Sequence, residues 1–199
     1  MAAVTITDRV GPKLRSELSP QRLAAGNAVA GRALAEFVRK HYREKDAKEP
    51  NRLGGDRTHF WRKIAESVQP PVVAGGTVSI KIKDRRIGQK VHGGPIVPKR
   101  ARALTIPIHP AAHGRRAALL AAKVGRLFIL RSKSGEAFLA GKIGKRVTLY
   151  YLLRRAVNQA PWPGSLPSVR GMKRVFTVAL KAYFQRRFAT IFPKGLSLR

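Results

Sequence analysis

The chain has 199 residues and no cysteine, and its 41 lysines and arginines against ten aspartates and glutamates give a formal net charge of +31. The lack of cysteine excludes disulfides, thiolate zinc sites, iron–sulfur clusters and cysteine nucleophiles. Apolar residues make up 44% of the chain, enough for a core, and no apolar run approaches the roughly 20 residues of a membrane span. The first residues lack a basic segment leading into an apolar one, so we expect neither a secretory signal nor a membrane partner.

The charge is distributed unevenly along the chain. Residues 1–66 carry 14 basic and eight acidic side chains, whereas residues 67–199 carry 27 basic side chains and only two acidic ones, Asp84 and Glu136. Such an excess repels itself in a compact state unless counterions or an anionic partner neutralise it. The pattern therefore indicates an ordinary surface in the N-terminal third and, in the remainder, a surface built beside a polyanion, most commonly nucleic acid.

The N-terminal part is predicted to begin with an extended arm over residues 1–18. A helix is predicted to follow, because Ser19 suits the N-cap and Pro20 suits the first helical position. Side chains recur at three-to-four-residue spacing on one face of this helix as far as about Tyr42. These are Leu23, Ala30, Leu34, Phe37 and His41.

A polar segment separates this helix from a second one. Residues 44–56 contain a proline and a Gly-Gly pair and have the composition of a loop. Residues 57–68 predict a short helix with one apolar side, and a pair of prolines ends it. Gly26 and Gly31 in the first helix either weaken that helix or allow a neighbour to pack closely.

Beyond this point the apolar period changes to two, which is typical of strands. Residues 77–82 alternate in this way, and residues 87–92 are predicted to return as the second strand of a hairpin. Residues 104–108 are predicted to form an edge strand, because Pro107 lacks a backbone N–H. Further apolar runs occur at 127–130, 138–140 and 147–157. The last run is rich in β-formers at its start, and its end is compatible with either a strand or a helix.

The C-terminal part is predicted to be a basic helix over about 168–190, after a break at the prolines and glycine of residues 160–164. The predicted fold class is therefore α+β, with a long N-terminal helix packed on a small antiparallel β-sheet and a basic C-terminal helix. We predict an arm over residues 1–18, an α+β core over 19–167 and a basic helix and tail over 168–199.

No constellation of catalytic or ligating residues stands out. His109 and His113 have i,i+4 spacing, but Pro110 lies between them and no nearby carboxylate supplies a third ligand. The acidic residues are too few and scattered for paired-carboxylate or two-metal hydrolysis, and the phosphate-loop, nucleophile-elbow and dinucleotide-binding motifs are missing. We therefore expect no metal, no cofactor and no enzyme activity.

The basic residues fall into clusters, and together they point to a polyanion. Aromatic residues are only 7% of the chain and lie mostly on helix faces, so we expect contacts to phosphates without sequence readout. Arg154 and Arg155 form one of the minor clusters. The Gly93–Gly94 pair is either a tight turn or a phosphate cradle. The main candidate nucleic-acid-binding residues are Lys81, Lys83, Arg85, Arg86, Lys90, Lys99, Arg100, Arg102, Arg115 and Arg116.

One stretch of the sequence carries a resemblance to a known family. Residues 93–107 have the pattern G-G-x-I-x-P-K-x-A-x-x-L-x-I-P. This segment resembles one in tailed-bacteriophage virion-morphogenesis proteins, the tail-completion or neck proteins of the head–tail junction, where the run follows a strand and leads into an edge strand. Thr58-His59-Phe60-Trp61, at the start of the second helix, and residues 147–157, before a proline-rich segment, agree in kind. The likeness covers roughly residues 5–170.

The resemblance implies a structural role in head–tail joining or tail completion, as part of a homo-oligomeric ring at the neck and without catalytic residues. It implies other neck, connector or tail proteins as partners, a place in the virion after synthesis in the bacterial host cytoplasm, and no cofactor. The chain departs from the family in its much higher basic charge, which leaves room for contact with double-stranded DNA. The alternative function is that of a non-specific nucleic-acid-binding protein of ribosomal or nucleoid type, which the composition alone favours.

Overall fold

The computed structural model describes residues 15–51 and 56–189. Their elements, in chain order, are α1 (Pro20–Lys48), α2 (Phe60–Glu66), β1 (Val72–Ala74), β2 (Thr77–Ser79), α3 (Arg86–His92), β3 (Gly94–Ile96), β4 (Leu104–Pro107), a 3-10 turn (Pro110–Ala112), α4 (Ala117–Val124), β5 (Leu127–Arg131), β6 (Ala137–Ile143), β7 (Arg146–Arg154), β8 (Val157–Gln159) and α5 (Val169–Ala189). This mixture of helices and antiparallel strands confirms the predicted α+β class. Among the described residues, no helix combines the length and apolar character needed to cross a bilayer.

The described residues form two compact units that alternate along the chain. The first unit contains residues 15–43, 64–84 and 166–189, and the second contains residues 44–51, 56–63 and 85–165. Of the predicted arm only residues 15–18 are described, and residues 15–17 are helical rather than extended. The end of the predicted tail, residues 190–199, lies outside the described part. The division into arm, core and tail stays a prediction.

The first unit is built on α1, whose glycines allow close approach by two neighbours. A Cβ atom at Gly31 would lie 2.8 Å from Cγ1 of Val78 and 2.9 Å from Cβ of Pro71, so the helix packs directly on the β1–β2 hairpin. A Cβ atom at Gly26 would lie 3.1 Å from Cδ1 of Leu180 in α5. Close packing, and not a weakened helix, therefore explains these glycines. The buried face of α1 comprises Gly26, Ala30, Gly31, Ala35, Val38 and Tyr42.

The second unit is built on a four-stranded antiparallel sheet in the order β4-β7-β6-β5. Its core contains the buried residues Ala112, Leu120, Tyr150 and Tyr151, so that α4 packs on one face of the sheet. A register irregularity lies between Leu139 and Ala140 where β6 pairs with β7. A separate two-stranded pair joins β3 to β8. The edge strand predicted over residues 104–108 is confirmed as β4, which ends the sheet, although the strand stops at Pro107.

Several predicted boundaries differ from the structure. Residues 86–92 form helix α3 rather than a returning strand, because apolar Ile87 and Val91 are four residues apart while the intervening strand position is the polar Gln89. Helix α1 continues to Lys48 rather than ending near Tyr42, since good helix formers follow until Pro50. The end of the 147–157 run is not helical, since β7 ends at Arg154, residues 155–156 are irregular, and β8 begins at Val157.

Candidate nucleic-acid interface

Lys81 and Lys83 lie on an extended segment of the first unit. Backbone hydrogen bonds from Gln69 N to Lys81 O and from Lys83 N to Ser67 O hold this segment, and Ile82 forms an isolated bridge with Val68. Because side chains alternate along an extended chain, Ile82 is half-buried while both lysines are exposed. The predicted inward and outward alternation is thus present, although the regular strand ends at Ser79.

Arg85, Arg86 and Lys90 lie at the start of α3 or on it, in the second unit, and two of them face aromatic rings. The Arg86 guanidinium lies 5.4 Å from the centre of the Phe60 ring, and Lys90 Nζ lies 4.3 Å from the centre of a Trp162 ring. Cations over aromatic faces are attracted by the ring quadrupole. Lys90 is accordingly half-buried, whereas both arginines remain exposed. Arg86 and Lys90 therefore have a structural role in addition to any ligand contact.

Lys99, Arg100 and Arg102 are exposed in the loop between β3 and β4. The Gly93–Gly94 pair that precedes them is a tight turn: Gly93 has φ +69 and caps α3, and its N–H is bonded to Gln89 O. A Cβ atom at Gly93 would lie 2.5 Å from Gln159 O, so only glycine fits. The turn alternative is favoured over the phosphate cradle, because the Gly93 N–H is already used.

Arg115 and Arg116 are exposed immediately before α4, with Arg116 at its N-cap position. Cations at a helix N-terminus oppose the helix dipole, at a cost of roughly 0.3–1 kcal/mol each. The Arg115 carbonyl accepts a hydrogen bond from the Tyr151 hydroxyl at 3.1 Å. Burial raises the pKa of Tyr151, and the charge of Arg115 opposes that shift. A nearby anion would offset the unfavourable position of the two arginines.

The candidate cations are divided between the two units. The two lysines at 81 and 83 belong to the first unit and the other eight candidates to the second. One arginine, Arg102, lies together with arginines that the candidate set omitted, since it lines a cavity of about 590 Å³ with Arg131, Arg154 and Arg155. Arg131 was missed because its only close basic neighbour in sequence is Lys133, and only the strand register brings it to the other arginines. Arg154 and Arg155 were recognised as a basic pair but not as part of a site.

The acidic residues near residue 50 have structural partners in the second unit. Asp46 contacts His59 Nδ1 at 2.8 Å and accepts a bond from the Arg62 backbone N–H, which caps α2. Glu49 accepts from Trp61 Nε1 at 2.8 Å and also binds Lys45. Burial raises the pKa of both carboxyl groups, but these donors and neighbouring positive charges outweigh it and hold each pKa below its ordinary value. Both carboxylates are therefore ionised and occupied at neutral pH.

The histidine pair singled out in the sequence is part of a turn. His109 Nδ1 accepts a hydrogen bond from Ala111 N at 3.2 Å and so caps the 3-10 turn, while its ring lies 5.1 Å from that of Tyr150. His113 forms the other end of the same turn. Within residues 15–51 and 56–189, no group of three or more potential metal ligands comes together.

No family model, no curated protein and no solved structure matches the chain.

Proposed function

We propose that this chain is a structural protein of a tailed-phage virion, acting in head–tail joining or tail completion, with a basic surface that contacts double-stranded DNA. The observation that carries the contact with DNA is the exposure of its cations. All ten candidates except Lys90 are exposed. Lys81, Lys83, Arg85, Lys99, Arg100, Arg102, Arg115 and Arg116 have no carboxylate partner among the described residues.

Several of the few carboxylates of the described part are already bound to other cations. Glu17 binds Arg187 at 3.1 Å, Glu36 binds Arg43 at 3.0 Å, and Glu136 binds Arg154. Neutralisation of the remaining basic surface therefore requires counterions or an anionic partner. Packaged double-stranded DNA meets this need with contacts that are independent of sequence.

The assignment to the phage neck rests on the resemblance of residues 93–107. The run ends in β4, an edge strand, as the family pattern implies, and Thr58-His59-Phe60-Trp61 leads into α2 at Phe60. The start of the run departs from the family pattern, since it follows helix α3 instead of a strand. The proposal therefore relies on the second half of the motif.

Assembly into a ring is supported by the outer strands of the four-stranded sheet. Ile108 N bonds to Tyr150 O, so by alternation Pro107 points its missing N–H away from β7, which blunts the β4 edge. Strand β5, at the opposite edge, has no proline, and Phe128 and Leu130 on it are 37% and 36% exposed. An apolar edge of this kind is suited to cover by a neighbouring subunit. The high net charge opposes such packing in free solution, so we expect the ring only in the particle.

The location of the protein tests this proposal. Electron microscopy of particles that carry a labelled copy is expected to show density at the neck or tail top. Density of the label on the capsid shell would contradict the proposal, as would particles that lack the labelled protein. Co-sedimentation of the protein with ribosomes or nucleoids would favour the alternative function.

A further inference from the structure

One end of the four-stranded sheet carries a groove that the sequence did not predict. Antiparallel register brings the ends of β5 and β7 beside the starts of β4 and β6, with Arg131 opposite Ala137 and Ala137 opposite Leu153. The groove has a volume of about 590 Å³ and lies within the second unit. Its apolar lining includes Ile129, Ala137 and Leu153. Its charged lining consists of Arg102, Arg131, Arg154, Arg155 and Glu136, and we call this cavity the arginine groove.

The arginine groove holds more positive charge than its single carboxylate can neutralise. Glu136 pairs with Arg154 at 2.5 Å. Arg102, Arg131 and Arg155 are exposed and have no carboxylate partner in residues 15–51 and 56–189. Four guanidinium groups around one cavity repel one another, and that repulsion is relieved by an anion bound between them.

The chemistry of the lining identifies the anion. All four cations are arginines, whose planar forks match the oxygens of a phosphate in bidentate pairs, whereas lysine acts only as a point charge. No aromatic side chain lines the groove, so bases have no surface on which to stack. On the basis of the function proposed above, we propose that the arginine groove binds the phosphodiester backbone of double-stranded DNA.

Glu136 has a specific part in this site. In the free protein it neutralises Arg154, and it therefore competes with a phosphate for the same guanidinium. Its side chain is 39% exposed, so the pair opens without disturbing a core. Removal of the carboxylate frees Arg154 and strengthens binding, while removal of an arginine weakens it. Opposite effects from two neighbouring residues distinguish a binding site from a merely structural cluster.

The test measures the affinity of the full chain for a duplex of about 30 base pairs over a range of salt concentrations. Arg131→Gln and Arg155→Gln are compared with Arg126→Gln, which removes the same charge at the other end of β5. Arg126 directly precedes β5 and lies five positions before Arg131, about 17 Å along an extended chain, which exceeds the Debye length of about 8 Å at 0.15 M salt. Glu136→Gln is compared with Glu66→Gln, an exposed glutamate of the first unit.

We expect each groove arginine variant to weaken binding about tenfold and to reduce the salt slope by about 0.9, the value for one lost phosphate contact. Arg126→Gln is expected to change affinity by less than about twofold, since its charge lies beyond the screening distance. Arg131→Lys is expected to fall between the wild type and Arg131→Gln. Glu136→Gln is expected to strengthen binding several-fold and Glu66→Gln to leave it unchanged. Thermal unfolding of each variant reports whether the fold is retained.

The outcomes separate this inference from the proposed function. Wild-type binding that is salt-dependent, with Arg131→Gln no weaker than Arg126→Gln, overturns the groove and leaves contact with DNA elsewhere on the surface. Unchanged or weaker binding by Glu136→Gln overturns the competing role of that carboxylate. A wild-type chain that ignores the duplex but binds a polyglutamate peptide contradicts the proposed contact with DNA and assigns the groove to an acidic protein.

Discussion

The closeness of α1 to the β1–β2 hairpin makes the sign of one glycine substitution predictable. In Gly31→Ala the added methyl group would lie 2.8 Å from Cγ1 of Val78 and 2.9 Å from Cβ of Pro71. Both neighbours belong to short, stiff side chains, so we expect the upper end of the overpacking range, about 3 kcal/mol. Alanine restores about 1 kcal/mol of helix propensity. The free energy of unfolding should therefore fall by about 2 kcal/mol.

Gly88→Ala is the matched control, since Gly88 lies inside α3 and a Cβ atom there would meet nothing within 4 Å. This variant should gain up to about 1 kcal/mol from helix propensity alone. By calorimetry, Gly31→Ala should lower Tm by about 4–8 °C and Gly88→Ala should raise it by about 2–4 °C. Val78→Ala in the Gly31→Ala background should recover part of the loss. Equal stabilisation by both glycine substitutions would refute the packing of α1 on the hairpin.

Three further predictions follow from the second unit and the chemistry of the chain. Asp46 and Glu49 have lower pKa values in the folded protein than their ordinary 3.8 and 4.5. Both carboxylates therefore stabilise the fold at a pH above those ordinary values. This stabilisation should be lost as the pH falls through the pKa values of the folded state. Asp46→Asn should therefore flatten the acid limb of denaturation midpoints measured from pH 7 to pH 3, and an unchanged limb would contradict the stabilising role of the contacts that Asp46 makes with His59 and the Arg62 N–H. Lys90→Ala should destabilise the protein by about 0.5–1 kcal/mol through lost ring contacts, whereas Arg85→Ala should leave the urea midpoint unchanged. Purified protein should contain no stoichiometric metal by elemental analysis, and one bound zinc per chain would overturn that expectation.

The helices could be predicted from local chemistry. The Ser19–Pro20 start and the apolar spacing located α1, and the proline-glycine break located α5, because caps and breakers act within a few residues. Residues 86–92 were misassigned because Ile87 and Val91, four residues apart, fit both the helical and the strand period, and only the polar Gln89 between them counts against a strand. The approach of Val78 to Gly31 depends on tertiary structure. The sequence therefore left two alternatives for this glycine, a weakened helix or close packing by a neighbour.

The arginine groove illustrates what the sequence pattern could not supply. Arg102, Arg131 and Arg155 come from three separate parts of the chain and meet only because β4, β7, β6 and β5 pair in one sheet. A shift of one residue in the pairing register would turn Arg131 to the other face of the sheet. Clusters along the sequence identified exposed cations, but a site assembled from strand ends requires the topology.

Cross-linking inside intact particles tests the contact with the genome most directly. Ultraviolet irradiation of virions, followed by nuclease and protease digestion, identifies by mass spectrometry the peptides that carry a nucleotide adduct. Adducts are expected on peptides from the 81–116 segment and from the ends of β5 and β7 around Arg131 and Arg155. Particles that contain the protein but give no adduct on these peptides, or adducts confined to α1, would contradict the placement of this basic surface against DNA.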